Sequence, residues 1–223
     1  VANPGPGRPR LEQRARRGAT ARAEILDAAG ELFTIHGYAN TSTRAVADAV
    51  GMRQASLYHH FAAKDDILDA LLSETIAAPL ELAARLAEHD APAAVRLYAL
   101  AHSDVRQLCA AHWNLGALYL LPEVRTERFA PFRLRRDRLR RHYESFAAEV
   151  LAAAGTDGLT GAETLPFRLV ETVINMRSDE GDPPAHAARV IPDTTLRMLG
   201  WTGDLAEVRS AADALLAAPL PLG

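Results

Sequence analysis

Apolar residues return every three to four positions along most of this chain, the spacing of helices with one buried face. Runs of β-branched residues, Asn-Gly turns and strictly alternating segments are scarce, and alanine is abundant. Both features favour an all-α fold. A first helix is predicted from Thr20, a hydroxyl N-cap, to His36, with Ile25, Ala28, Ala29, Leu32, Phe33 and His36 as its apolar stripe and Gly37 as its stop. Thr41, Ser42 and Thr43 then offer caps to a short helix, Arg44 to Val50, which carries Val46, Ala47 and Val50 at helical spacing. Gly51 ends it where a left-handed residue is needed. Leu57 and Phe61 lie one turn apart on a second short helix. Asp65 and Asp66, favoured at the positive end of a helix dipole, open a long one containing Ile67, Leu68, Leu71, Leu72 and Ile76. Pro79 predicts a kink or a break there.

Further helices are predicted from Ala93 to Trp113 behind Pro92, from Glu127 to Ala154, Gly161 to Ser178, Pro184 to Leu199 and Asp204 to Ala217. In the second of these Phe132, Arg136, Leu139, Tyr143, Phe146 and Val150 share a face. Arg133, Asp137 and Arg141 are spaced for i,i+4 ion pairs on the other side. The arginine run from Arg133 to Arg141 reads as a solvated face, with an anion site as the alternative. Pro192 predicts a bend in the helix that holds it.

The pair of short helices has an outward face of a particular kind. Gln54, Ser56, Tyr58, His59 and His60 are polar, hydrogen-bonding and opposite Leu57, which suits the edges of bases and the phosphates of a major groove. The segment ILDAAGELFTIHGYANTSTRAVADAVGMRQASLYHHFAAKDDIL resembles the DNA-binding domain of the tetracycline-repressor-like (TetR) family of bacterial regulators. The resemblance rests on Ile25, Ala28, Ala29, Leu32, Phe33, Gly37, Tyr38, Thr41, Ser42, Val46, Ala47, Gly51, Leu57, Tyr58, Phe61 and Lys64, and covers about the first third of the chain. Arg53 and Ala63 depart from it where the family often has a small polar N-cap, and Ala55 where glycine is frequent. With physics and family pattern together, Arg44 is expected to reach a guanine edge or a phosphate, Gln54 to pair with adenine, and Arg53 to reach guanine or phosphate. Thr43, Ser56, Tyr58, His60 and Lys64 are expected on phosphates, which fix register without reading sequence. His59 belongs to the same face.

Charge sharpens the division. Through Lys64 there are nine basic residues against five acidic, a balance of plus four; beyond it 16 stand against 23, minus seven. A basic head on an acidic body is what a DNA-binding domain on an independent body should show. Residues 1–19, with Pro4, Pro6, Pro9 and several arginines, are expected to form a disordered basic arm, either a solubilising tail or a strand along phosphates. Residues 20–66 are then the helix-turn-helix domain and residues 67–223 the helical ligand-binding and dimerisation domain. Cys109 is the single cysteine, so an intrachain disulfide is excluded and a reducing cytoplasm fits best. No apolar run approaches the roughly 18 residues of a membrane span, and the opening VANPGPGRPR lacks an apolar signal core.

Candidate chemistry beyond the head is thinner. His102, Arg106, Cys109 and His112 fall on one side of a helix, with Trp113 alongside. Cys109 and His112 are two potential metal ligands, but no second cluster completes a tetrahedral set, so pocket or core lining is expected, with no metal and no cofactor. Tyr98, Trp113, Asn114, Tyr119, Phe132 and Phe167 have the composition of an apolar cavity with a few polar anchors. The resemblance implies a homodimer through two C-terminal helices per subunit, with Leu165, Leu169, Val173 and Met176 as one stripe and Val190, Thr194, Met198 and Leu199 as another. It implies, too, a regulator, in the expected sense a repressor, that binds a palindromic operator in double-stranded DNA and is released by a small-molecule effector whose identity the sequence leaves open. A helical DNA-binding or scaffold protein without an effector is the alternative. An enzyme is disfavoured: there is no Gly-rich phosphate loop, nucleophile elbow or HExxH-type spacing.

Overall fold

In the computed structural model the described residues are 17–155, 160–181 and 186–218, and among them every regular element is helical. The chain divides into two compact units between Leu71 and Leu72. Most of the basic arm, and the predicted start of a helix at Pro184, lie outside the described residues.

The first unit holds α1 (Ala21–Ile35), α2 (Thr43–Val50), α3 (Gln54–Tyr58) and the beginning of α4 (Lys64–Ala87). Thr20 caps α1 by accepting the Ala23 N–H at 3.2 Å, and Ser42 caps α2 by accepting that of Ala45 at 3.1 Å. Ile25, Ala28, Ala29 and Phe33 are buried as predicted, whereas His36 is exposed and serves as the C-cap. An imidazole at the helix end gains nothing by leaving water. Gly51 has φ 71°, and the Gly51 and Met52 N–H groups donate to the carbonyls of Asp48 and Ala47, the paired bonds of a Schellman stop. Arg53 makes no side-chain cap to α3. At α4 the missing polar N-cap is offset from inside the helix, because Asp66 accepts the Ala63 N–H at 2.9 Å.

The second unit is organised around α5 (Ala93–Ala110), which packs against α6 (Ala130–Ala154), α7 (Leu165–Glu180), α8 (Ala187–Met198) and α9 (Leu205–Ala217). Residues Leu97 to Ala101 are all buried. At that level the helix is enclosed on every side and apolar all round, and its alanines let the neighbours approach closely. Short 3₁₀ turns, Leu115–Leu120, Pro122–Arg125 and Glu127–Phe129, lead into α6, and a fourth, Ala162–Thr164, leads into α7. Two predicted helices are therefore shorter at their starts than their spacing suggested. The predicted helix to Trp113 stops at Ala110 because Arg177, from α7, takes its last carbonyls. The guanidinium donates to Leu108 O, to Ala111 O at 2.7 Å and to His112 O at 3.4 Å.

Neither internal proline breaks its helix: α4 runs through Pro79 and α8 through Pro192. A proline lacks the N–H that would meet the carbonyl four residues back, here those of Thr75 and Ala188. Both carbonyls are met by side chains of α5 instead. Gln107 Nε2 donates to Thr75 O at 2.9 Å, and His102 Nδ1 lies 2.7 Å from Ala188 O, as its N–H tautomer requires. Each predicted break is closed by a side chain from the central helix. No helix among the described residues is long and apolar enough to cross a membrane.

Candidate nucleic-acid interface

In the first unit Leu57 is fully buried while Arg53, Ser56, Tyr58, His59 and His60 are exposed. The short α3 thus turns one hydrocarbon inward and leaves a row of donors and acceptors outward. Three residues of this surface are already bonded to one another. Gln54 Nε2 donates to Thr43 Oγ1 at 3.0 Å and to Tyr58 OH at 3.3 Å, and the Thr43 and Tyr58 hydroxyls share a hydrogen bond at 3.2 Å. The network joins the start of α2 to α3 across the Gly51 turn. Arg44 is exposed on α2, with only a 3.8 Å ion pair to the equally exposed Asp48, which solvent and salt make weak.

Two expectations need amending. Gln54 does not present an unoccupied amide: its donors are used within the face, so pairing with adenine requires exchange of those bonds. Lys64 is half-buried, donates to the carbonyls of Tyr38 at 2.9 Å and Thr41 at 3.0 Å, and lies 4.0 Å from the Tyr38 ring centroid. It locks the turn between α1 and α2, which leaves one of its three donors for a phosphate. Arg22, absent from the sequence-derived set, lies with its guanidinium 4.5 Å over the Phe61 ring just beyond α3. Its only sequence signal was its positive charge near a helix start.

The residues predicted to line one ligand cavity are dispersed in the second unit. Tyr119 and Phe132 border a cavity of about 610 Å³ formed by the 3₁₀ turns, α6 and Arg168 of α7. Trp113 and Asn114 border another of about 190 Å³ with Gln107 and Arg177. Asn114 is held by Ile174 O at 2.8 Å and Ser178 Oγ at 3.0 Å, both accepting from its amide. Arg106 is exposed on a groove of about 470 Å³ beside Ala78, Leu82 and Arg85. Phe167 is buried against Tyr143, ring centroids 5.5 Å apart. Tyr98 is buried and stacked on His102, and burial followed by the Asp193 charge pushes its phenol up to about 12. His102 is committed to Ala188 O. Cys109 is half-buried, its thiol pushed up by burial. His112 stands beyond the end of α5, edge-on to Trp113 at 4.2 Å, so the i,i+3 register with Cys109 is lost. The ten do not form one site.

Polar groups that sequence reasoning passed over occupy the interior. Asp104 is buried, accepts the Tyr143 hydroxyl at 3.0 Å, and is pushed up to about 7 by burial; that hydrogen bond lowers it and the Glu171 charge raises it. Arg136 pairs with Glu171, its Nε 3.1 Å from Oε1. Arg136 stood on the predicted inner face and is half-buried, but Arg133 does not make its predicted ion pair. It donates to the carbonyls of Val124, at 2.8 Å, and Thr126, while Asp137 keeps its predicted i,i+4 pair with Arg141 and adds Arg140. Of the expected interface stripes, Leu165, Val190 and Thr194 are exposed and Leu169, Met176 and Met198 half-buried. Val173 and Leu199 are wholly buried in the core of their own chain and offer no surface.

Two short helices joined at a left-handed glycine, braced by α1 and polar on the outer side of the second, make a helix-turn-helix module. Residues 25–71 match the family of bacterial regulatory proteins, tetR family. The crystal structure of Mycobacterium smegmatis AmtR is 59% identical, with a TM-score of 0.88 over 94% of this chain and all of that one. This chain belongs to the tetR family of bacterial regulatory proteins. The transcriptional repressor KstR2 of Mycobacterium tuberculosis (strain H37Rv) is 43% identical over 51 residues, 23% of this chain and 26% of that protein. The chain thus aligns with only about a quarter of the length of that curated relative. The structure of AibR in complex with isovaleryl coenzyme A and operator DNA shares the fold, at 21% identity and TM-score 0.62 over 82% of this chain and 99% of that one.

Proposed function

We propose that the protein is a homodimeric transcriptional repressor that binds a palindromic operator through α2 and α3 and is released by a small molecule held in its second unit. The observation that carries this reading is the exposed α3 face, whose Thr43–Gln54–Tyr58 network orders the groups that would meet DNA before it arrives. In this reading Arg44, Arg53 and Gln54 meet base edges, while Thr43, Ser56, Tyr58, His59, His60, the remaining Lys64 donor and Arg22 meet phosphates. α3 is five residues long and reads too few base pairs alone, so two copies about one helical turn of DNA apart are needed, roughly 34 Å. KstR2 is named a repressor and AibR was captured with operator DNA and an acyl-coenzyme A, which supports repression and a ligand-responsive body. α4 begins in the first unit and ends in the second, so it is the element through which ligand binding would alter the head. Release requires that the ligand bind the DNA-incompetent conformation more tightly, not merely bind.

The test is fluorescence anisotropy with duplexes selected from a genomic fragment library, titrated across a range of salt. Affinity is expected to fall with a log–log slope of about −0.9 per phosphate neutralised, and to depend on sequence. A flat salt response, or no duplex retained at low ionic strength, refutes DNA binding.

A further inference from the structure

Resting on the effector reading above, we propose that the 610 Å³ cavity between the 3₁₀ turns and α6 is the effector site, and that it takes an organic anion, a carboxylate or phosphate ester with an apolar body. Its volume is that of a small-molecule site, within the usual range of about 300–1,000 Å³. Its charge is lopsided: five arginines line it against one acid, Asp137. Two are neutralised within the protein, Arg136 by Glu171 and Arg140 by Asp137 and Glu144. Among the described residues Arg125, Arg133 and Arg168 have no carboxylate within ion-pair distance. Arg133 is also immobilised, since the Val124 and Thr126 carbonyls hold it without cancelling its charge. A solvated arginine face has no reason to fold around a concavity with an uncompensated cation, Arg133, held in place; a site for a carboxylate or phosphate does.

The apolar half fits the rest of such a ligand. Leu120 is 75% exposed and Leu134 65%, the two most exposed large hydrophobics among the described residues, and both border this cavity. The Tyr119 and Phe132 rings, centroids 5.6 Å apart, form the wall beside them. That wall is tied to the helix that enters the DNA-binding unit. Tyr119 OH donates to Thr75 Oγ1 of α4 at 2.6 Å, and the Arg136 guanidinium lies 5.3 Å from the Tyr119 ring centroid. An anion that draws Arg136 from Glu171 therefore displaces the group resting on Tyr119, and with it a hydrogen bond to α4.

The experiment uses three probes on one 2-naphthyl body: 2-naphthoate, 2-naphthyl phosphate and the uncharged 2-naphthamide, each titrated by calorimetry into the whole protein, wild type and Arg125→Gln/Arg168→Gln. Both arginines are exposed and without carboxylate partners, so their removal orphans no group; far-UV circular dichroism checks the fold. At least one anion is expected to bind about tenfold or more tightly than the amide, the margin of a charge-assisted hydrogen bond, with the double variant losing that margin. The two anions report whether the carboxylate or the phosphate is preferred. Equal binding of the amide, an unchanged margin in the variant, or no binding of either anion at about 10 mM overturns the site, while operator binding measured alongside still stands. If the anion binds as expected yet leaves operator affinity unchanged, the site holds and the effector reading falls.

Discussion

Asp104 is the buried carboxylate of the second unit among the described residues. Burial is the main reason its pKa rises from 3.8 to about 7, with the Glu171 charge adding to the rise and the Tyr143 hydrogen bond opposing it. In the unfolded chain it titrates near the ordinary value, so between the two the folded form holds the proton more tightly. Its contribution to stability is fully present below about pH 4 and is lost as pH rises through about 7. The expected outcome is that melting temperature falls more steeply between those limits for wild type than for Asp104→Asn, which has no proton to release. Parallel thermal-unfolding curves for the two proteins would show that the buried acid does not titrate with folding. The outward residues behave differently: Gln54 and Tyr58 are bound only to each other and to Thr43, so water or DNA can replace each bond at little cost.

At the scale of elements, the two proline-bearing helices show how tertiary contacts override a local signal. Pro79 and Pro192 remove one helical hydrogen bond each, and the orphaned carbonyls of Thr75 and Ala188 are taken by Gln107 and His102. An unmet carbonyl away from water costs about 1–3 kcal/mol, so Gln107→Leu is expected to lower stability by about that amount in chemical denaturation. In a Pro79→Ala background the restored N–H meets the same carbonyl, and Gln107→Leu should then cost markedly less. Equal costs in both backgrounds would remove Gln107 from this role. The same comparison explains what was legible in the sequence. The helices themselves, the Thr20 and Ser42 caps and the Gly51 stop are set by neighbours within about five residues, and periodicity and capping chemistry report such neighbours directly. Gln107 and Thr75 are 32 residues apart, and Arg177 reaches carbonyls 65 to 69 residues away. No spacing rule connects them, and so the end of α5 and the roles of His102, Lys64 and Arg177 emerged only from the packing. The cavity was only partly readable for a related reason: the α6 run offered an anion site as its alternative reading, but Arg125 comes from a 3₁₀ turn and Arg168 from α7, and no spacing joins them to that run.

For the whole molecule the remaining question is how a head of this size acquires affinity. α3 offers one exposed turn and a half, and the balance of plus four through Lys64 supports attraction to phosphates without sequence choice. Linking two heads in the proposed dimer multiplies affinity by making the second contact intramolecular, typically by about 10²–10⁴. In the proposed dimer that pairing would use α7 and α8, where Leu165 and Val190 are 44% and 47% exposed and Thr194 stands one turn beyond Val190. Val173 and Leu199 lie inward and cannot contribute. Leu165→Glu with Val190→Glu puts charge onto this face without touching the core, so the chain should fold normally. Light scattering coupled to gel filtration is expected to report a monomer, and operator affinity to drop by roughly the 10²–10⁴ that the second head supplied. A dimer that survives both glutamates would move the interface off these helices. A monomer that still binds its operator at full strength would mean that one head suffices, and the requirement for paired heads would fall with it.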